Sequence, residues 1–178
     1  MKLFLMAASL RKDSFNKKLV DLCANHLAGQ NHEVNLRHFK EFDAPLYDGD
    51  IEESSGIPAN VQKFAEHIKL ADKIIFSVPE YNFSIPGGFK NLIDWVSRIK
   101  PGPLNGAQVL LISASPAMCG GHRGYLFTRL TLETGLTAFV YPKTFSLGEA
   151  HKMFEDDGSI KDKNLSDQLT KLIDEFVA

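Results

Sequence analysis

Eight positions near the N-terminus, "SLRKDSFN", gather Ser9, Arg11, Ser14 and Asn16 directly after an aliphatic run. Two hydroxyls and an amide can donate hydrogen bonds, and a guanidinium can hold two phosphate oxygens at once. If the segment carries the chain from a strand into a helix, the helix start adds unpaired N–H groups and the positive end of its dipole. The chemistry that follows is capture of a single phosphoryl group by side chains. The loop lacks the glycines of GxGxxG and GxxxxGK[ST], which wrap longer phosphate chains with bare backbone, so ATP and dinucleotides bound in the Rossmann manner are disfavoured. Taken alone, the octapeptide reads rather as Ser14 capping a helix while Arg11 and Lys12 form a solvated turn.

A second stretch, "VPEYNFSIPGGFKNLIDWVSR" at 78–98, has the composition of a packed loop. Pro79 ends a strand and Pro86 stands where a helix begins, while Gly87 and Gly88 allow close backbone approach. Pro79, Glu80, Tyr81 and Asn82 between them offer backbone groups and an aromatic ring to something flat, or else Tyr81 is a buried loop anchor. A third stretch, "SASPAMCGG", contributes Ser113 and Ser115. Catalytic side chains are not expected: GxSxG, HExxH and carboxylate pairs at metal spacing are all missing, and no metal site is expected. Cys23 and Cys119 have no paired spacing, which fits a reducing compartment. His122, beside Gly120 and Gly121, reads as a surface or helix-start histidine.

Elements that place these stretches together are legible in the hydropathy. Contiguous aliphatic runs at Leu3 to Ala8, Val34 to Phe39, Ile74 to Val78, Val109 to Ile112 and Thr137 to Tyr141 suit strands buried on both faces. Helical stripes intervene: Phe15, Leu19, Leu22, Cys23 and Leu27; Val61, Phe64, Ala65 and Ile68; Phe89, Leu92, Ile93 and Val96; Leu165, Leu169, Leu172, Ile173 and Phe176. A less regular helix falls within Gly121 to Thr134. Alternation of strand and helix predicts one α/β domain over residues 1–178, a three-layer α/β/α flavodoxin-like fold with a five-stranded parallel sheet of order 2-1-3-4-5. The Rossmann order would need a sixth strand. "YDGDIEESSGIP" reads as a solvated connection. In such a sheet ligands sit beyond the strands' C-terminal ends, where strand order reverses, and the first loop is at that point.

With 20 basic and 22 acidic residues, the net charge of −2 gives no field for nucleic acid and no acidic docking face. No apolar run approaches the roughly 20 residues that span a bilayer, and no leader pattern opens the chain, so a cytoplasmic protein without membrane insertion is expected. Trp95 and Ile99 on the third helix, and Tyr125 and Leu132 on the fourth, stand off the main stripes. They are consistent with a homodimer interface, with a tetramer as a further step, or with packing inside one subunit.

The three stretches together resemble the NADPH-dependent FMN reductase family, whose members include quinone, chromate and azo-dye reductases. The resemblance spans nearly the whole chain, and "PEYNFSIPGGFKNLIDW" is its most specific part. It implies FMN as cofactor, NADPH or NADH as co-substrate, and a quinone or similar small molecule (azo dye, chromate, free flavin) as electron acceptor, by ping-pong hydride transfer. Ser9, Arg11, Ser14 and Asn16 would hold the FMN phosphate; Pro79, Glu80, Tyr81 and Asn82 would line the isoalloxazine; Ser113 and Ser115 would border it. It also favours the dimer. The chain departs from the family pattern at Ala8, Phe83 and Ala117. A flavodoxin-type carrier that binds FMN without reductase activity is the alternative, and it would want the acidic face this chain lacks.

Overall fold

The computed structural model describes residues 1–178. In chain order the elements are β1 (Lys2–Ala7), α1 (Phe15–Ala28), β2 (Glu33–His38), α2 (Gly49–Ser55), α3 (Ala59–Leu70), β3 (Lys73–Ser77) and α4 (Gly87–Val96). Then follow β4 (Gln108–Ala114), α5 (His122–Leu130), β5 (Phe139–Val140), β6 (Phe145–Leu147), α6 (Ala150–Met153) and α7 (Lys163–Val177). The sheet runs β2-β1-β3-β4-β5, every pairing parallel, as the alternation of strand and helix predicts.

Strand alternation divides the core in two. Phe4, Met6, Ile74, Phe76, Val109 and Leu111 face α3, α4 and α5, whereas Leu3, Leu5, Ile75, Leu110 and Ile112 face α1 and α7. Both faces are buried, so the strands read as unbroken aliphatic runs. Each fully buried Phe or Leu is worth about 1.5–3 kcal/mol. On the α1 side Cys23 is enclosed completely, and burial pushes its thiol up to about 12, which leaves it unreactive at neutral pH.

Three expectations need correction. A sixth strand is present, because the fifth position is split: β5 pairs with Gln108 and Val109, and β6 pairs with Ile112 to Ala114. Pro142 has no N–H for the ladder, so the chain leaves β4 after the Tyr141 N–H donates to Val109 O at 2.8 Å, and the Thr144 hydroxyl donates to Leu111 O at 2.6 Å before pairing resumes. The connection at 47–58 contains the helix α2, capped by the Asp48 side chain and without a buried residue. With no stripe to bury, it left no periodicity to read. It is fastened to α4 by Glu52, which accepts from Tyr47 Oη at 2.9 Å and from Arg98 Nε at 2.8 Å; that guanidinium holds the Glu52 carboxyl below its ordinary range.

The third correction concerns the apolar residues set aside for an interface. Trp95, Tyr125 and Leu132 belong to the core, and Ile99 packs against it. Trp95 donates its indole N–H to Pro45 O at 2.8 Å and meets Tyr47 edge-on, so the connection before α2 covers what the helix stripe left over. No helix is long and apolar enough to cross a membrane.

Candidate functional site

Ser77 is the one polar side chain that β3 buries, after Ile74, Ile75 and Phe76, and alternation turns it toward α1. There its hydroxyl donates to Asn16 Oδ1 at 2.9 Å. The same oxygen accepts from Ala114 N at 3.1 Å, while Asn16 Nδ2 donates to Ala114 O at 2.8 Å. One buried amide thus ties the start of α1 to the ends of β3 and β4. The Asn16 amide is engaged inside the protein, with one N–H left over, and fixes where the first loop stands.

That loop is poor in internal partners. Ser14 caps α1, its Oγ accepting from Asn16 N at 3.2 Å. The N–H groups of Leu10, Arg11, Lys12 and Asp13 have no acceptor in the protein. Ser9 is only 3% exposed, and its hydroxyl likewise finds no protein partner. Arg11 is exposed and takes part in none of the ten ion pairs. Successive free donors, the free hydroxyl of a mostly buried serine and an uncommitted cation at a helix N-terminus have the composition of a phosphoryl cradle.

Beyond β3 the chain makes a two-residue turn. Tyr81 N–H donates to Ser84 O and Ser84 N–H to Tyr81 O, both at 3.0 Å, and Asn82 and Phe83 both take left-handed backbone with φ of 49° and 62°. Asn accepts that conformation readily; for Phe it costs about 1–2 kcal/mol. The turn leaves the N–H groups of Glu80, Asn82 and Phe83 without acceptors. Pro79 is buried, and Tyr81 stands half-exposed beside the more open Phe83. The Glu80 carboxylate does something the sequence did not suggest: Oε2 accepts from Arg123 N at 2.9 Å and Gly124 N at 3.1 Å, capping α5. Its signal was the glycine at 124, where a Cβ would sit 3.0 Å from Glu80 Cα.

The third loop is held from below. Ser113 is fully buried and donates to Ser146 Oγ at 3.0 Å; Ser115 N–H donates to Leu147 O at 3.0 Å, and Ser115 Oγ accepts from Ala117 N at 3.2 Å. Gly120 and Gly121 both have positive φ, and a Cβ on Gly120 would lie 2.6 Å from the Ser146 carbonyl carbon. Gly121 meets Ser113 and Glu80 together, which joins the second and third loops. Ser9, Arg11 and Ser14, the 79–82 segment, and Ser113 and Ser115 therefore stand at the C-terminal ends of the neighbouring strands β1, β3 and β4.

The sequence profile of the family described as NADPH-dependent FMN reductase matches residues 1–152. The chain belongs to that family. It is 38% identical over 173 residues to a quinone reductase of Escherichia coli K12, covering 96% of this chain and 90% of that one. It is 34% identical over 164 residues to a quinone reductase of Pseudomonas putida, covering 89% and 83%. Among solved structures, FerB, a flavoenzyme NAD(P)H:(acceptor) oxidoreductase from Paracoccus denitrificans, superposes with a TM-score of 0.77 at 26% identity, covering 99% of this chain and 94% of that one. As a family member the enzyme is an NAD(P)H-dependent oxidoreductase with FMN as cofactor. The unpartnered donors of the first loop fit the FMN phosphate, and the free N–H groups at 80, 82 and 83 fit the polar edge of a flat heterocycle.

Proposed function

We propose that the enzyme is a quinone reductase: it takes a hydride from NAD(P)H and passes an electron pair to a quinone or a similar small acceptor, with both substrates using one site in turn. The observation that carries this reading is the uncommitted donor set of residues 9–14 next to the Tyr81 turn. The relatives named quinone reductase support the choice of acceptor.

When bound, FMN would supply the redox chemistry, two-electron exchange between NAD(P)H and the acceptor. Ser9, Arg11 and the N–H groups of 10–13 bind the phosphate, and Ser14 and Asn16 hold that loop in register. Pro79, Glu80, Tyr81 and Asn82 would shape the floor for the ring through backbone, with Ser115 along the neighbouring edge and the fully buried Ser113 holding that loop from beneath. The unpaired N–H groups of Glu80, Asn82 and Phe83 would be available to stabilise negative charge on the reduced ring, as fixed donors in a dry site do efficiently.

Purified protein is expected to be yellow, to bleach with NADPH in the absence of oxygen, and to regain colour when a benzoquinone is added. Initial rates with both substrates varied should give parallel double-reciprocal lines. Colourless protein that FMN does not reconstitute would overturn the reading. Bleaching without reoxidation by any quinone would remove the acceptor class alone.

The single domain over 1–178 acts as a homodimer in this reading, through a face different from the one the helix stripes suggested. Leu126, Phe127 and Leu130 project from α5 at 50%, 50% and 56% exposure, close in sequence to the third loop. Large apolar groups clustered on one helix favour an isologous contact, and stable interfaces bury more than about 1,000 Å². Sedimentation should give twice the 19.8 kDa chain mass, or four times if dimers pair, and Phe127→Glu combined with Leu130→Glu should return the single-chain value. A single-chain mass for the unmodified protein at micromolar concentration would dispose of the dimer.

A further inference from the structure

The 81–84 turn has to persist in an unfavourable backbone conformation, and its tip, Phe83, is 62% exposed. Exposed tips with strained backbone relax unless something outside the turn grips them. The Arg123 guanidinium lies over the Phe83 ring at 4.8 Å from the centroid. Its Nη1 is 3.9 Å from Glu80 Oε1, and its own backbone N–H donates to Glu80 Oε2 at 2.9 Å. Arg123 therefore touches both ends of the segment from Glu80 to Phe83. The missing side chain at Gly124 lets α5 come close enough for this, since a Cβ there would also meet Ser84 O at 3.3 Å.

We infer that Arg123 is a positioning residue for the flavin ring: by clamping Phe83 against α5 it keeps the free N–H groups of Glu80, Asn82 and Phe83 aimed into the site. The inference rests on the FMN site proposed above and adds a residue that touches neither the phosphate cradle nor the sheet. Lysine can keep a cation over an aromatic face, so it replaces part of the function, whereas alanine removes the grip.

The phosphate and the ring can be tested separately, because riboflavin has the ring without the phosphate. Apoprotein prepared from the holoenzyme is titrated with FMN and with riboflavin by flavin fluorescence. Arg123→Ala is expected to weaken both ligands about fivefold, by the same factor, with Arg123→Lys recovering to within about twofold. General loosening of the fold is excluded by requiring the apoprotein melting temperatures of the variants to match the parent. Unchanged affinity for both ligands, a loss confined to FMN, or a lysine variant as weak as alanine would each overturn the assignment. Arg11→Ala in parallel separates this from failure of the site itself: it should weaken FMN and leave riboflavin alone, and if FMN affinity is unchanged, the phosphate site is elsewhere whatever Arg123 does.

Discussion

Replacing Arg11 by Ala should weaken FMN binding by roughly 10- to 100-fold while leaving the apoprotein as stable as before. The affinity term follows from one charge-assisted contact to phosphate, worth about 1.5–3 kcal/mol, at about 1.4 kcal/mol per tenfold. The stability term follows from what Arg11 does without ligand: it is exposed and holds no ion pair, so nothing in the fold depends on it. Equilibrium titration of apoprotein gives the first quantity and thermal melting the second. The melting temperature of the holoprotein should fall at a fixed FMN concentration, because ligand stabilisation grows with the logarithm of one plus the ratio of ligand concentration to Kd. Unchanged FMN affinity would show that Arg11 faces water and that the alternative reading of a solvated turn holds.

Asn16→Ala has the opposite signature, loss of fold and cofactor together. The amide's three partners, Ser77 Oγ, Ala114 N and Ala114 O, lie where water cannot replace it, and Asn16 itself is 3% exposed. Leaving buried groups unpaired costs about 1–3 kcal/mol each, so a loss of about 3 kcal/mol or more is expected. For a chain of this size that corresponds to a fall in melting temperature of roughly 6–12 °C. Ser77→Ala should cost about 1 kcal/mol, since Asn16 Oδ1 keeps its bond from Ala114 N. Equal effects of the two substitutions in calorimetry would mean that the amide does not join α1 to β4 in the way its geometry indicates.

The strand order was readable because β1, β3 and β4 are buried on both faces and announce themselves as aliphatic runs. The phosphate loop was readable because the side chains able to bind an anion, Ser9, Arg11 and Ser14, lie within six residues of one another. What escaped was set by partners far along the chain. Asn16 bonds across 98 positions to Ala114, and Glu80 across 43 and 44 to α5, so each looked like a free ligand-facing group. β6 has three residues and α2 has no buried face, too little in either case for a period to emerge. Trp95 looked spare because the residue that receives its indole, Pro45, belongs to a connection with no periodicity of its own. Ser77 was the exception: a serine inside an aliphatic strand asks for a polar partner, and following strand parity to α1 would have found it.

The bare positions at Gly120 and Gly148 have a meaning for anyone wishing to reshape this enzyme. A Cβ on Gly120 would run into the backbone of Ser146, and one on Gly148 would fall on the Met118 carbonyl oxygen, so segments 117–121 and 146–148 fill each other's empty space like two combs. Libraries that randomise Gly120 or Gly148 while leaving the facing segment unchanged are therefore expected to return mostly destabilised chains. Transplanting both segments as one cassette from a related reductase keeps each bare position matched to the backbone that fills it, with the sheet left intact.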